Sequence, residues 1–353
     1  MNQSFGLGAA ALVLGAALLA CPEAAAQGFG EGLRLCGGSL LPALFPFFVV
    51  CELLMASPLI RWLGAPLCPL ARRYGLRGRR SVAVLLLGWV GGYAVCARLV
   101  ARLRGEGVLS RREGSLLLAL GCCSGPGFVV GCVGGQLLGS VALGTLLYGI
   151  QLAANLIAAA CLARIWRPDP GEALPAEEPP RDPVTLPGAI GRAVDSSLTV
   201  CGCVLFFRVV YRLAAALPWW AGHEGALPFL SGCLEISAGC ADFAAAGSLP
   251  GVCFCLSVLG LSVFAQLAAL LDGCVPLGPL AAARVIHLVV MQLLIRLALR
   301  SLPGEAEVFS SLAPRVVVLR REAPDTALAV FFFLCAALYQ LYKSRQSPYN
   351  KDK

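Results

Sequence analysis

The feature that most constrains this chain is a succession of apolar stretches, each about twenty residues long and poor in charge. They lie at 5–21, 37–57, 81–101, 115–137, 138–163, 195–217, 226–247, 249–271, 278–300 and 327–342. A helix gains about 1.5 Å per residue, so crossing a hydrocarbon layer about 30 Å thick takes roughly 17–25 such residues. Charged residues make up 14% of the chain. A soluble domain carries roughly 25%, so this chain cannot cover a water-facing surface as one compact globule. The fold expected is an all-α polytopic membrane protein of about 8–10 transmembrane or re-entrant helices.

The residue inventory excludes several chemistries. The only lysines are Lys343, Lys351 and Lys353, and none follows a glycine-rich loop of the kind that holds nucleotide phosphates. Two histidines, His223 and His287, stand far apart, so no HExxH zinc motif exists. No G-x-S-x-G serine is present. The seventeen cysteines fall mostly inside apolar runs, as at Cys122-Cys123 and Cys253/Cys255. There they serve as small hydrophobes that let helices approach. No enzyme, metal site, cofactor or nucleic-acid partner is expected.

The organisation reads as two halves. Residues 1–34 form an N-terminal transmembrane helix, retained because no basic residue precedes it as a signal peptide requires. A first helical half covers 35–165, and a Pro/Glu-rich linker covers 166–190. A second half covers 191–302, and a C-terminal helix with a polar tail covers 303–353. Arg61, Arg72, Arg73, Arg77, Arg79 and Arg80 crowd the segment 58–80 without an acid, which places it on the cytoplasmic side. Ser124 and Ser262 each follow a pair of helices and sit near a glycine, the kind of internal repetition common in secondary transporters.

Three segments carry chemistry. Ser110-x-x-Glu113 is a capping box that starts a helix, and Ser124-Gly125-Pro126-Gly127 breaks it. About ten residues flank the break on each side, which suggests a hairpin over 107–136 that enters and leaves on one face. Amides freed after Gly125 and Pro126 would favour an anion. The second segment holds Glu235 and Ser237 in an apolar run between Gly232 and Gly239. An ionised carboxylate there is costly enough to face a cavity or a coupling cation. In the third, Ser262 and Gln266 share a helix face. Arg284 and His287 are a turn apart near a helix start and make a weaker case for binding an anion.

Five pieces in order carry a resemblance: Leu41-Pro-Ala-Leu-Phe-Pro-Phe-Phe48, Gly91-Gly-Tyr93, Ser110-Arg-Arg-Glu113 with Ser124-Gly-Pro126, Leu234-Glu-Ile-Ser237-Ala-Gly239, and Gly260-Leu-Ser-Val-Phe-Ala-Gln266. Together they resemble the sporulation integral membrane family called YlbJ or SpoVV, within the group carrying nucleoside-recognition Gate domains. The resemblance implies a fold like that of concentrative nucleoside transporters, with two related halves and paired helical hairpins around a central site. It implies passage of dipicolinic acid across the outer forespore membrane during endospore formation. Ser124, Gly125, Pro126, Glu235, Ser237, Ser262 and Gln266 then become the substrate-binding candidates, with a proton or sodium ion as coupling partner. A homo-oligomer or other sporulation membrane proteins are the macromolecular partners it suggests. The chain departs from the family at three places. Cys122 and Cys123 stand where asparagines are usual, Ala94 stands where a proline follows glycine-tyrosine, and Phe264 stands where a polar residue is common. A nucleoside transporter and a non-transporting scaffold are the rival readings.

Overall fold

The computed structural model describes residues 2–57, 59–76, 79–165 and 185–301. The run at 327–342 and most of the linker lie outside them. All secondary structure among the described residues is helical, as a bilayer requires of a chain that must satisfy its backbone internally.

Helix α1 (Asn2–Ala20) turns by 101° into α2 (Pro22–Leu35). From there a π-helical turn, Cys36–Leu40, leads directly into α3 (Leu41–Ala56). Short helices α4 (Leu59–Gly64) and α5 (Cys68–Arg73) follow. Next come α6 (Arg79–Gly91), α7 (Tyr93–Gly105) and α8 (Arg111–Gly121), then a π-helical segment (Gly127–Leu137) and α9 (Val141–Ile165). The second half contains α10 (Leu186–Ala215), α11 (Leu227–Leu234), α12 (Ile236–Ala245), α13 (Leu249–Val258), α14 (Gly260–Leu271) and α15 (Gly278–Ser301). By length and composition α9, α10, the pair α13–α14 and α15 can each cross a membrane, and the bent pair Gly8–Ala20 with Pro22–Gly38 makes a fifth.

Two apolar runs expected to cross as single helices are hairpins instead. Residues 81–101 split at Gly92, and α6 packs back along α7. Each arm has 13 residues, about 20 Å, too short to cross. Residues 226–247 split at Glu235, and α11 packs back along α12. Small residues three or four positions from each tip allow the close return. A Cβ on Gly88 would stand 3.0 Å from Cys96 Cβ, and one on Gly239 2.7 Å from Gly232 N.

The hairpin expected over 107–136 is not one. The capping box at Ser110 and Glu113 forms as read, and α8 ends at Gly121. Its continuation, the π-helical segment, does not fold back on it. Instead α9 accompanies both pieces in the opposite direction. Near its start Gly144 abuts Gly134, and further along Gln151 donates to Ser124 O at 2.8 Å. Segment 111–137 is therefore a span broken at its middle. The pair α13–α14, interrupted at Leu259 and Gly260, is the matching broken span in the second half.

One succession thus occurs twice: a long helix (α3, α10), a hairpin (α6–α7, α11–α12), a broken span (α8 with the π-helical segment, α13 with α14) and a returning helix (α9, α15). Each broken span's second piece packs on the other half's hairpin, α14 on α7 and the π-helical segment on α12. The same order of elements in the two halves is an internal repeat of the kind found in secondary transporters.

Ion pairs mark the two faces. At one end Glu52 accepts from Arg98 (3.0 Å) and Arg192 (2.6 Å). At the other, Arg208 and Arg212 bind Glu31, and Arg208 reaches Asp242 at 3.2 Å. Arg192, Arg208 and Arg212 all lie on α10, whose axis separates the clusters by about 24–30 Å, the thickness of the hydrocarbon layer. Along α15, Val285, Val289, Leu293 and Leu297 form an exposed apolar stripe, while His287, Met291 and Ile295 on the other side are buried. That stripe is the face a lipid chain would cover.

Candidate functional site

Both hairpin tips reach the depth at which the spans break. A Cβ on Gly92 would lie 3.3 Å from Gly125 N and 3.5 Å from Cys123 O, so the first tip rests on the first break. In the second half, a Cβ on Gly260 would lie 3.0 Å from Gly232 O and 3.1 Å from Glu235 N. Irregular backbone survives at membrane depth only when protein buries it or it lines a cavity, and here both occur.

A small cavity opens at the first tip and break. Three helix starts meet there: Tyr93 and Ala94 of α7, Ser124, Gly125 and Phe128 at the π-helical segment, and Ser237 of α12. Leu44 and Phe48 of α3 and Val200 of α10 supply apolar walls. The first amides of a helix have no partner within it, so helix starts present donors. Gly92 sits with φ +84° and caps nothing, and Pro126 provides no side-chain cap either.

The break sorts its polar groups by charge. Two of its carbonyls are held by side chains of the returning helices: Arg284 Nη2 donates to Cys122 O at 2.7 Å, and Gln151 Nε2 donates to Ser124 O at 2.8 Å. Ser124 lines the cavity, and its hydroxyl is buried with no hydrogen-bond partner. A buried unpaired hydroxyl costs about 1–3 kcal/mol, a cost that a bound acceptor would remove. The cavity therefore offers donors and little negative charge.

The sequence-derived candidates divide accordingly. Ser124, Gly125 and Ser237 line the cavity, and Pro126 begins the helical segment beside them. Glu235 caps α12, with Oε2 accepting from the Ala238 amide at 2.6 Å, so it tends the second tip. Ser262 and Gln266 do share a face, and Gln266 Nε2 donates to Ser262 Oγ at 3.2 Å. They lie on α14, which packs against α7 and α10, and neither lines the cavity.

Arg284 and His287 are more central than their place near a helix start suggested. Both are buried. Besides Cys122 O, Arg284 donates to Asn155 Oδ1 at 2.6 Å. His287 pairs with Ser257 Oγ at 3.0 Å and Gln151 O at 3.3 Å. This pair joins the returning helices α9 and α15 to both broken spans. A signal existed in the sequence: Gln151/Asn155 and Arg284/His287 each lie one turn apart in otherwise apolar helices. Of the departures noted above, the alanine at 94 does not remove the bend, because Gly92 alone supplies it.

Comparison with known proteins agrees with the resemblance carried by the motifs. The chain is 29% identical over 301 residues to the sporulation integral membrane protein YlbJ of Bacillus subtilis (strain 168), covering 74% of each chain. No family model matches the chain, and no solved structure matches it.

Proposed function

We propose that this relative of YlbJ, an integral membrane protein, is a transporter that carries a small anionic solute through the cavity at the first hairpin tip. The observation that carries the reading is the sorting of charge at the Ser124 break, with carbonyls held by Arg284 and Gln151 and an unpaired Ser124 hydroxyl left for a ligand. Two uncapped helix starts, those of α7 and the π-helical segment, suit a solute with two acidic groups. Dipicolinic acid has that chemistry, and its passage across the outer forespore membrane is the specific role we assign. Taken as an inverted repeat, the two sets of hairpins and broken spans suit alternating access, with the site between two gates that face opposite sides. Glu235, buried beside the second tip, is the group we assign to a coupling proton or sodium ion.

The test is complementation. The chain would be expressed in a spore-former lacking its own YlbJ-like protein, and dipicolinic acid would be measured in the forespore. Restored accumulation that fails with Ser124→Ala is the expected result. Well-expressed protein that restores nothing, and that takes up no dipicolinic acid in proteoliposomes, would overturn the assignment. If nucleosides were taken up instead, the cavity would stand and the substrate would change.

A further inference from the structure

The walls of the cavity continue past it toward one face of the molecule. On α3, Leu44 and Phe48 line the cavity four residues apart, and the next position in that row is Glu52. On α7 the lining residue Ala94 is followed one turn later by Arg98. On α10 the row runs back along the chain, from Val200 through Ser196 to Arg192. Positions four apart share a helix face, so the faces that enclose the cavity also carry these three charged side chains. They stand about 6 Å beyond the lining on α3 and α7, and about 12 Å beyond it on α10. There they close on one another. Arg98 Nη1 donates to Glu52 Oε1 at 3.0 Å and to Arg192 O at 3.1 Å, and Arg192 Nε donates to Glu52 Oε2 at 2.6 Å.

One carboxylate thus holds two guanidiniums, one oxygen to each, across a way out of the cavity. Arg192 Nη2 is buried without a partner, a donor beyond those that Glu52 fills. Asp195, one turn along α10, also acts on the Arg98 charge. These two acids balance the two cations while Glu52 stays in place. The side chains are nonetheless open in part to water, at 12% for Glu52, 23% for Arg98 and 39% for Arg192. An ion pair so placed is weak and exchanges readily, unlike a fully buried one. A second carboxylate meets the same two forks of donors.

We infer that Arg98 and Arg192 form a second contact for the anionic solute, an entry site between the cavity and this face, which Glu52 occupies when no solute is there. A solute carboxylate that takes the place of Glu52 releases α3 from α7 and α10 and opens the way to the cavity. The inference rests on the transport reading above, and it names the residues by which the route admits an acid in preference to a neutral solute.

The experiment is equilibrium exchange of labelled dipicolinic acid by the full chain in proteoliposomes, where the solute crosses both faces. Glu52→Gln removes the internal competitor, so KM should fall about threefold, the worth of a partly exposed pair. In that background Arg192→Gln removes a cation with no competitor left, and KM should rise by about tenfold, with maximal rates within about twofold of wild type throughout. A cluster that merely braces the helices would lower the maximal rate on loosening and would not tighten KM. Where Glu52→Gln fails to fold, Glu52→Asp keeps the acid but shortens its reach, and it should move KM in the same direction. Wild-type exchange with KM unmoved or raised in the Glu52 variants overturns the entry site and leaves the cavity reading standing. So does a KM that ignores Arg192→Gln in the Glu52→Gln background. A wild type that exchanges no dipicolinic acid overturns the transport reading and the entry site with it.

Discussion

The two hairpins are built alike and end differently. At the first tip α7 begins with Gly92, which has no side chain and caps nothing. At the second, α12 begins with Glu235, whose carboxylate accepts the Ala238 amide. A helix start carries roughly half a positive charge. In the second hairpin the protein supplies its own anion to that charge, while in the first the charge is left facing the cavity. Two equivalent positions in the repeated succession thus do different work. One tip is filled by the chain, and the other is free for a ligand.

The largest effects should come from removing that freedom. Gly92→Val places a β-branched side chain at φ +84°, with Gly125 N 3.3 Å from its Cβ. Backbone strain of this kind costs about 1–3 kcal/mol, and the tip must lift from the break to accommodate it. Uptake should be lost while membrane insertion persists, and a variant that transports at the wild-type rate would remove the first tip from the site. Ser124→Ala should come next. Its hydroxyl makes no bond within the protein, so without solute thermal stability should rise, by up to the about 1–3 kcal/mol that a buried unpaired hydroxyl costs. A hydrogen bond to a charged ligand contributes about 1.5–3 kcal/mol, so the apparent affinity for the solute should fall at least about tenfold. Equal affinities in the two proteins would contradict the comparison directly.

Glu235 sharpens it from the other side. Glu235→Ala deletes a helix cap and should lower stability by about 1 kcal/mol. Glu235→Gln retains an oxygen that can accept the Ala238 amide, so its stability should stay near wild type. Its charge is gone, however, and transport should then cease to depend on the proton or sodium gradient. A Glu235→Gln variant that still follows the gradient would reduce Glu235 to a cap and place coupling elsewhere.

The membrane class was plain in the sequence because it rests on composition and run length, which bilayer thickness dictates. The hairpins were not, because a run of about twenty apolar residues satisfies a crossing helix and two short antiparallel arms equally well. What separates 81–101 and 226–247 from true spans is a tip residue with small residues three or four positions to either side, Gly92 between Gly88 and Cys96, and Glu235 between Gly232 and Gly239. The Ser124-Gly-Pro break was legible, yet the direction of the chain beyond it was not. A proline and two glycines permit both a return and a continuation, and packing on α9 decides between them. Arg284 makes only a weak case in the sequence because six residues from the start of a helix reads as interfacial. Its depth follows from where α15 sits against α9 and the first break, which is tertiary information.

The open ends of the hairpins extend the contrast. The second is closed by Phe229 and Phe243, packed with Phe254 at ring separations of 4.8–6.4 Å in edge-to-face geometry. The first is closed by charge: Glu106 accepts from Arg80 on α6 at 2.7 Å and from Arg102 on α7 at 3.0 Å. Burial raises the pKa of the Glu106 carboxyl, but the bonds and charges of Arg102 and Arg80 outweigh it, and the net displacement is below the ordinary value of 4.5. A depressed folded-state pKa means that the stabilisation is present above 4.5 and is lost as pH falls through the lower folded value. Glu106 is about one-third exposed, so the effect is small, at most about 1 kcal/mol, and salt screens it. Hydrogen exchange should therefore show α6 and α7 protection declining in acid or at 1 M salt, about three times the Debye screening of 0.1 M, while α11 and α12 hold. Glu106→Gln should bring α6 and α7 to the same reduced protection at neutral pH. Equal losses in both hairpins would mean that the bases are closed by the same forces, and that the asymmetry of this molecule is confined to its tips.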